Sequence, residues 1–251
     1  MSKDYCPEDQ NSFFSDTLLS GRQFGTLPMT IIYVIFGCSI QFLIGTGLAY
    51  ICTLPIQGRP FFRTLFFIPI TITPVGIAYQ WRMLADMSKG PFAPVWEWLG
   101  LAEFAWGSDA WAARTMIMIS DAWMWIPFIF VVMLAGLETV PKDLTEAAEV
   151  DGAGKWPLFW KIIFPIMLPV SLTTIVIRII FKLKLADIII NVTSGGPGGA
   201  TDSVTSFIYR EYRDRSNVGY GTLLSFVYLI FIIIFMTILI RFVNRWLQRD
   251  A

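Results

Sequence analysis

The chain has 251 residues, of which 55% are apolar and 15% charged, and its 19 Lys and Arg balance its 19 Asp and Glu. Soluble domains carry about 45–50% apolar and about 25% charged residues, so this composition, with a mean hydropathy of +0.60, excludes an ordinary soluble domain and predicts one bundle of several membrane spans. The even charge balance says nothing of a nucleic-acid partner, but the lack of a long basic run sets that reading aside, and the absence of histidine removes the commonest general base and zinc ligand.

The chain opens with a polar segment, 1–26, whose start MSKDYCPEDQNSFF lacks the charged, apolar and cleavage regions of a signal peptide. Five spans follow, about Leu27–Leu54, Arg63–Leu84, Ala113–Leu137, Ile166–Ile190 and Gly221–Val243. A bilayer cannot satisfy an open backbone, so each span is a helix and the fold class is an all-α polytopic membrane protein. The runs are apolar on every face, unlike the alternating strands of a barrel. Cys38 and Cys52 sit in the first run, and with Cys6 they form no ligand spacing, so small core hydrophobes and no metal site are expected. In the second span Pro69 and Pro74 predict a kink or an opening.

The connections differ. Pro55–Phe62 is short and basic. Ala85–Ala112 carries Trp96, Trp98, Trp106 and Trp111, which suits a segment at the membrane surface. Ser194–Thr201, SGGPGGAT, is a loop by its glycines and proline; it lacks the lysine of a phosphate loop and follows a membrane helix, so no ATP site is expected. Arg59, Arg63, Lys142, Lys155, Lys161, Arg241, Arg245 and Arg249 fall on one side of the five spans. Lys3, Arg22, Lys89, Arg210, Arg213 and Arg215 fall on the other. The balance favours the first side, with the C-terminus, as cytoplasmic.

Charges within spans are costly and turn toward the bundle or a cavity. The fourth span has Arg178, Lys182, Lys184 and Asp187. On a continuous helix Lys184 and Asp187 share a face and can pair. Arg178 and Lys182 share a sign, so each needs another partner or water, and Lys182 and Lys184 are also placed to snorkel to the surface. Arg178 is the deepest candidate for a pathway or subunit contact. Aromatic faces beside hydrogen-bonding groups suit sugars, which makes Gln80, Trp81, Asp121 and Trp125 candidate lining residues beside Arg178, Lys184 and Asp187. Anchoring and core packing are the competing readings for the tryptophans.

Between the third and fourth spans lies EAAEVDGAGKWPLFWKIIFPIMLP, Glu146–Pro169. Acids lead a helix-favouring run from Thr145 to Val150, Gly152 and Gly154 interrupt it, and Lys155–Phe164 resumes with bulky apolar residues. The spacing predicts helix, turn, helix over 145–165. Composition alone allows an amphipathic surface helix or a docking element. The order Glu146-Ala147-Ala148, then Gly152, Ile162 and Pro165, resembles the EAA motif of permease subunits in binding-protein-dependent ABC importers. Phe164 stands where leucine is usual. With GRPFFRTLFFIPITITPV, DAWMWIPF, LAGLETVPKDLTEAAEVDGA and NVTSGGPGGAT, the chain is similar to the carbohydrate-uptake, maltose-permease-like branch.

That resemblance implies a transport subunit of the bacterial inner membrane without its own ATP site or cofactor. Its partners would be a dimer of ATP-binding subunits, a second permease subunit and an extracytoplasmic solute-binding protein. Glu146, Ala147, Ala148, Asp151 and Gly152 would form a cytoplasmic coupling helix seated on the ATPase, and the Ser194–Thr201 loop would face the binding protein. The cargo would be a sugar or polyol. Family members have six spans, and the chain begins inside the loop after the first, so a late start or truncation is expected. An ion-coupled transporter using Asp121 and Asp187, or a membrane scaffold, are the alternative readings.

Overall fold

The computed structural model describes residues 25–53, 58–86, 90–98 and 106–247. The described residues form helices and turns, with no strand among them. Most of the polar segment 1–26, together with Cys6 and Lys89, lies outside them.

Four helices are long and apolar enough to cross a membrane: α1 (Thr26–Thr53), α5 (Ala110–Glu138), α7 (Lys155–Leu183) and the last helix, whose spanning part is Val218–Arg245. At 28 or 29 residues each, they exceed the roughly 20 needed for the hydrocarbon core. The predicted second span is two helices, α2 (Pro60–Thr71) and α3 (Pro74–Leu84), bent by 100° at the break. The cause is local. Ile72 and Thr73 are extended, and Thr73, held there by the proline that follows it, caps α3 by accepting from the Gly76 amide. The prolines therefore break the span rather than bend it.

Shorter elements complete the order, α4 (Ala93–Trp98), α6 (Lys142–Val150), α8 (Asp187–Val192) and α9 (Val204–Arg213), and the last long helix is α10 (Val218–Leu247). Asp109 accepts from the Ala112 amide at 2.7 Å and so starts α5. A capping box between Ser203 and Ser206 starts α9. After a first α turn, Lys155–Leu158, α7 widens into a π turn, Phe159–Ile163, just before Pro165. Such a turn relieves the clash of a proline ring with the carbonyl one turn back.

Helix α7 ends at Leu183, seven residues before the predicted end of the fourth span. Nothing in Lys184-Leu185-Ala186 breaks a helix by type. The stop comes from afar: Thr205 Oγ1 and Tyr228 Oη donate to the Leu183 carbonyl, at 2.9 and 2.8 Å, and Ser203 Oγ donates to that of Leu185. Carbonyls that a further turn would have used are satisfied by other elements. Lys184 and Asp187 therefore do not share a helix face, which corrects the pairing expected from sequence.

Packing divides the chain into two units. Unit 1 holds the described residues up to Gly37, with Thr73–Asp121 and Phe181–Ile233; unit 2 holds Cys38–Ile72, Ala122–Ile180 and the described residues from Ile234. The core of unit 2 gathers Ala49, Cys52, Phe130, Met133, Leu158 and Met167. Helices approach closely there because Gly45 lies against Ile129, where an added Cβ would stand 2.7 Å from its Cγ2. In unit 1 the glycine-rich loop is tied down. Tyr33 Oη donates to the Thr201 carbonyl at 3.1 Å, and Arg114 Nε to that of Ala200 at 2.9 Å. Gly195, at φ +83°, leaves room for the buried Asp202, which pairs with Arg210.

Candidate functional site

Two sets of polar residues are candidates for function. The first is α6 and the turn after it, within unit 2. Ala148 is 8% exposed and packs in the unit 2 core with Leu158, Ile163 and Met167. Glu146, Ala147, Asp151 and Gly152 are exposed. The segment is thus held on its own bundle by two small side chains, Ala148 and the half-buried Ala153, and turns Glu146, Ala147, Asp151 and Gly152 outward. Ala148, expected among the contact residues, faces inward. Two residues that the sequence reading passed over face outward, Leu144 at 48% exposed and Val150 at 88%. With Ala147 they follow a spacing of three and make an apolar stripe. Their spacing is a sequence signal in itself, interleaved with the acids of the same helix.

The helix ends in a hydrogen-bonded reversal. The Ala153 amide donates to the Ala148 carbonyl at 2.9 Å across Gly152, whose φ is +80°. This left-handed residue, with its bond spanning six residues, is a common way to stop a helix on glycine. A Cβ at Gly152 would meet nothing within 4 Å. The glycine is needed for its backbone angle, and its own chain leaves the space above it open. Three residues after Gly152, α7 begins at Lys155.

The second set lies within the long helices. In unit 2 Arg178 is 1% exposed. Its Nε and Nη2 donate to Gln41 Oε1 at 3.1 and 2.6 Å, and its guanidinium carbon lies 4.4 Å from the centre of the Trp125 ring. A cation over an indole face is stabilised by the ring's charge distribution. In unit 1 Lys182 Nζ stands 2.5 Å from Asp121 Oδ2, with both side chains essentially inaccessible. Gly37 makes that approach possible, since a Cβ there would lie 2.6 Å from the ammonium nitrogen. Lys182 is therefore buried and paired rather than reaching for the surface.

The structure thus brings Asp121 to Lys182, and Trp125 to Arg178 and Gln41. Gln80, Lys184 and Asp187 lie exposed. Trp81 packs near Phe92, ring centres 6.3 Å apart. Gln41 gives no clear sequence signal, being an uncharged polar residue in an apolar run, and Lys182, a snorkelling candidate by sequence, joins the buried polar set. A cavity of about 410 Å³ in unit 2 is lined by apolar side chains such as Ile44, Leu48, Phe66, Pro69 and Phe130. It offers a hydroxylated solute few hydrogen bonds, so the buried polar sets, not this cavity, are the chemical candidates for a pathway.

A helical bundle with one broken span, buried charges and an outward-turned EAA segment defines a membrane permease. The chain belongs to the family of binding-protein-dependent transport system inner membrane components, whose model matches residues 45–250. It is 30% identical over 234 residues, 93% of its length, to the trehalose/maltose transport system permease protein MalF of Thermococcus litoralis, of which it covers 78%. It is 28% identical over 235 residues, 92% of its length, to the sn-glycerol-3-phosphate transport system permease protein UgpA of Rhizobium meliloti, of which it covers 79%. Its fold matches a chain of a bacterial ABC transporter involved in the import of alginate, with a TM-score of 0.74 and 23% identity over 89% of this chain and 77% of that one. The protein is a multi-pass inner-membrane transport subunit of an ATP-driven importer. That membership sets aside the ion-coupled and scaffold readings.

Proposed function

We propose that this permease passes a sugar or polyol inward, and that α6 with Gly152 is where ATP-driven motion enters it. The substrate class rests on the relatives named for trehalose, maltose and glycerol phosphate. The observation that carries the coupling role is the outward presentation of Glu146, Ala147, Val150 and Gly152 beside the inward-packed Ala148 and Ala153. The partner is a dimer of ATP-binding subunits. A second permease subunit completes the pathway, and an extracytoplasmic solute-binding protein delivers the cargo. In this arrangement α6 and the C-terminus face the cytoplasm.

The mechanics follow from connectivity. A push on α6 passes through the four-residue turn Asp151–Gly154 into α7. Helix α7 carries Arg178 about 35 Å from its start, at about 1.5 Å per residue. A rigid rod of that length converts a small displacement at one end into a change beside the pathway residues at the other. On this reading Asp121, Trp125 and Arg178 line the pathway wall. Uptake of labelled sugars, polyols and polyol phosphates by cells with the whole transporter tests the reading. Saturable uptake of one of these, lost when the ATPase subunit is inactivated, is the expected result. Uptake that persists without the ATPase, or a cargo of another chemical class, would overturn it.

A further inference from the structure

We propose that the first turns of α7 are a membrane-surface anchor: Trp156, Trp160 and Phe164, flanked by Lys155 and Lys161, bind the anionic phospholipid interface. Resting on the coupling reading for its consequence alone, the anchor sets the depth at which α6 meets its partner.

Four observations carry this. Trp156 is 73% exposed and Trp160 45%, although they belong to a helix whose other side, Leu158, Ile163 and Met167, is packed in the unit 2 core. The outer rings form a ladder at a spacing of four, with centres 5.7 Å apart from Trp156 to Trp160 and 5.1 Å from Trp160 to Phe164. Phe159, 4.9 Å from Tyr50 of α1, pins the ladder to the bundle. The helix is also longer than a span. It has 29 residues, and counting about 20 back from Leu183 reaches Phe164, so Lys155–Ile163 lies at headgroup level, where tryptophan is favoured.

Charge selects the lipid. Lys155 and Lys161 are exposed on these turns, whereas among the side chains described on α6 and its turn the exposed charges are Asp143, Glu146 and Asp151. An anionic surface draws in the first group and repels the second. The basic aromatic turns are therefore held in the interface while the acidic segment is kept off it, free for a protein partner.

The test uses the assembled transporter in nanodiscs of phosphatidylcholine, with and without phosphatidylglycerol. Either lipid is brominated near the headgroup end or near the tail end of its chains. Subtracting the fluorescence of the Trp156→Phe/Trp160→Phe variant isolates these two among the 10 tryptophans. The expected result is stronger quenching by shallow bromine than by deep bromine, and stronger by phosphatidylglycerol than by phosphatidylcholine. Lys155→Gln/Lys161→Gln should reduce that lipid preference, by up to about five-fold per lysine. Tryptophans quenched by no lipid would mean a protein covers them, and equal quenching by both lipids would mean the charge does not matter; either overturns the proposal. Quenching is read without ATP, so failure of the coupling role of α6 would leave this result standing.

Discussion

The polar residues of α6 and those of α1, α5 and α7 are handled in opposite ways. Around Gly152 the charges of Glu146 and Asp151 stand exposed, and the backbone is fixed by a local glycine stop. Along the long helices the charges of Arg178, Lys182 and Asp121 are buried, and each is fixed by groups far away in sequence. An exposed charge contributes little and is free to meet a partner. A buried one must be matched inside the chain, and removing its match is expensive. The first region is therefore tunable by surface chemistry, and the second is a constraint on the fold itself.

Breaking the buried side gives the largest effect. Asp121→Leu leaves Lys182 without the carboxylate that stands 2.5 Å away. Loss of one partner of a buried pair costs about 3–5 kcal/mol, so the variant should lose most of its inserted, detergent-stable protein. Adding Lys182→Met to it should restore much of that yield, because an apolar pair needs no match. A double variant as unstable as the single, in thermal unfolding of the purified complex, would mean the pair is not what holds these helices.

A smaller effect is expected at Gln41→Leu. Arg178 loses the acceptor of two hydrogen bonds but keeps the Trp125 face. Leaving a buried donor unsatisfied costs about 1–3 kcal/mol, more for a charged one. The unfolding temperature should fall less than for Asp121→Leu, and Gln41→Glu should keep or raise it. If Gln41→Leu unfolds like the parent protein, water or another group serves Arg178, and the site is wetter than its burial implies.

The same contrast explains what could be read from sequence. The spans, the helix-turn-helix after the third and the glycine stop were legible, because each rests on neighbours within about four residues. The prolines announced a fault in the second span, although not that it opens to 100°. The end of α7 at Leu183 was not legible, since Thr205 and Tyr228 supply its stop from other elements. Nor was the choice of Asp121 for Lys182 and of Gln41 for Arg178. Composition says that a charge in lipid needs a match, and only helix packing says which. Lys184 and Asp187, matched on paper at a helical spacing, are separated by a helix end that no local rule marks.

The smallest stability change, and the most informative about function, belongs to Gly152. A side chain there must accept a left-handed backbone, which costs about 1–2 kcal/mol. Its Cβ meets nothing within 4 Å, so Gly152→Ala and Gly152→Leu should destabilise the isolated permease by about the same amount. Size should matter only where something else fills the space. If an ATPase subunit sits against Gly152, Gly152→Leu loses uptake and ATPase binding well beyond Gly152→Ala, at equal thermal stability. If the two variants transport alike, the glycine is a helix stop and no more, and the contact must be sought on Leu144, Ala147 and Val150. The buried residues offer no such separation, since there any change of size or charge alters stability and transport together. Only at an exposed, backbone-determined position can the two be told apart.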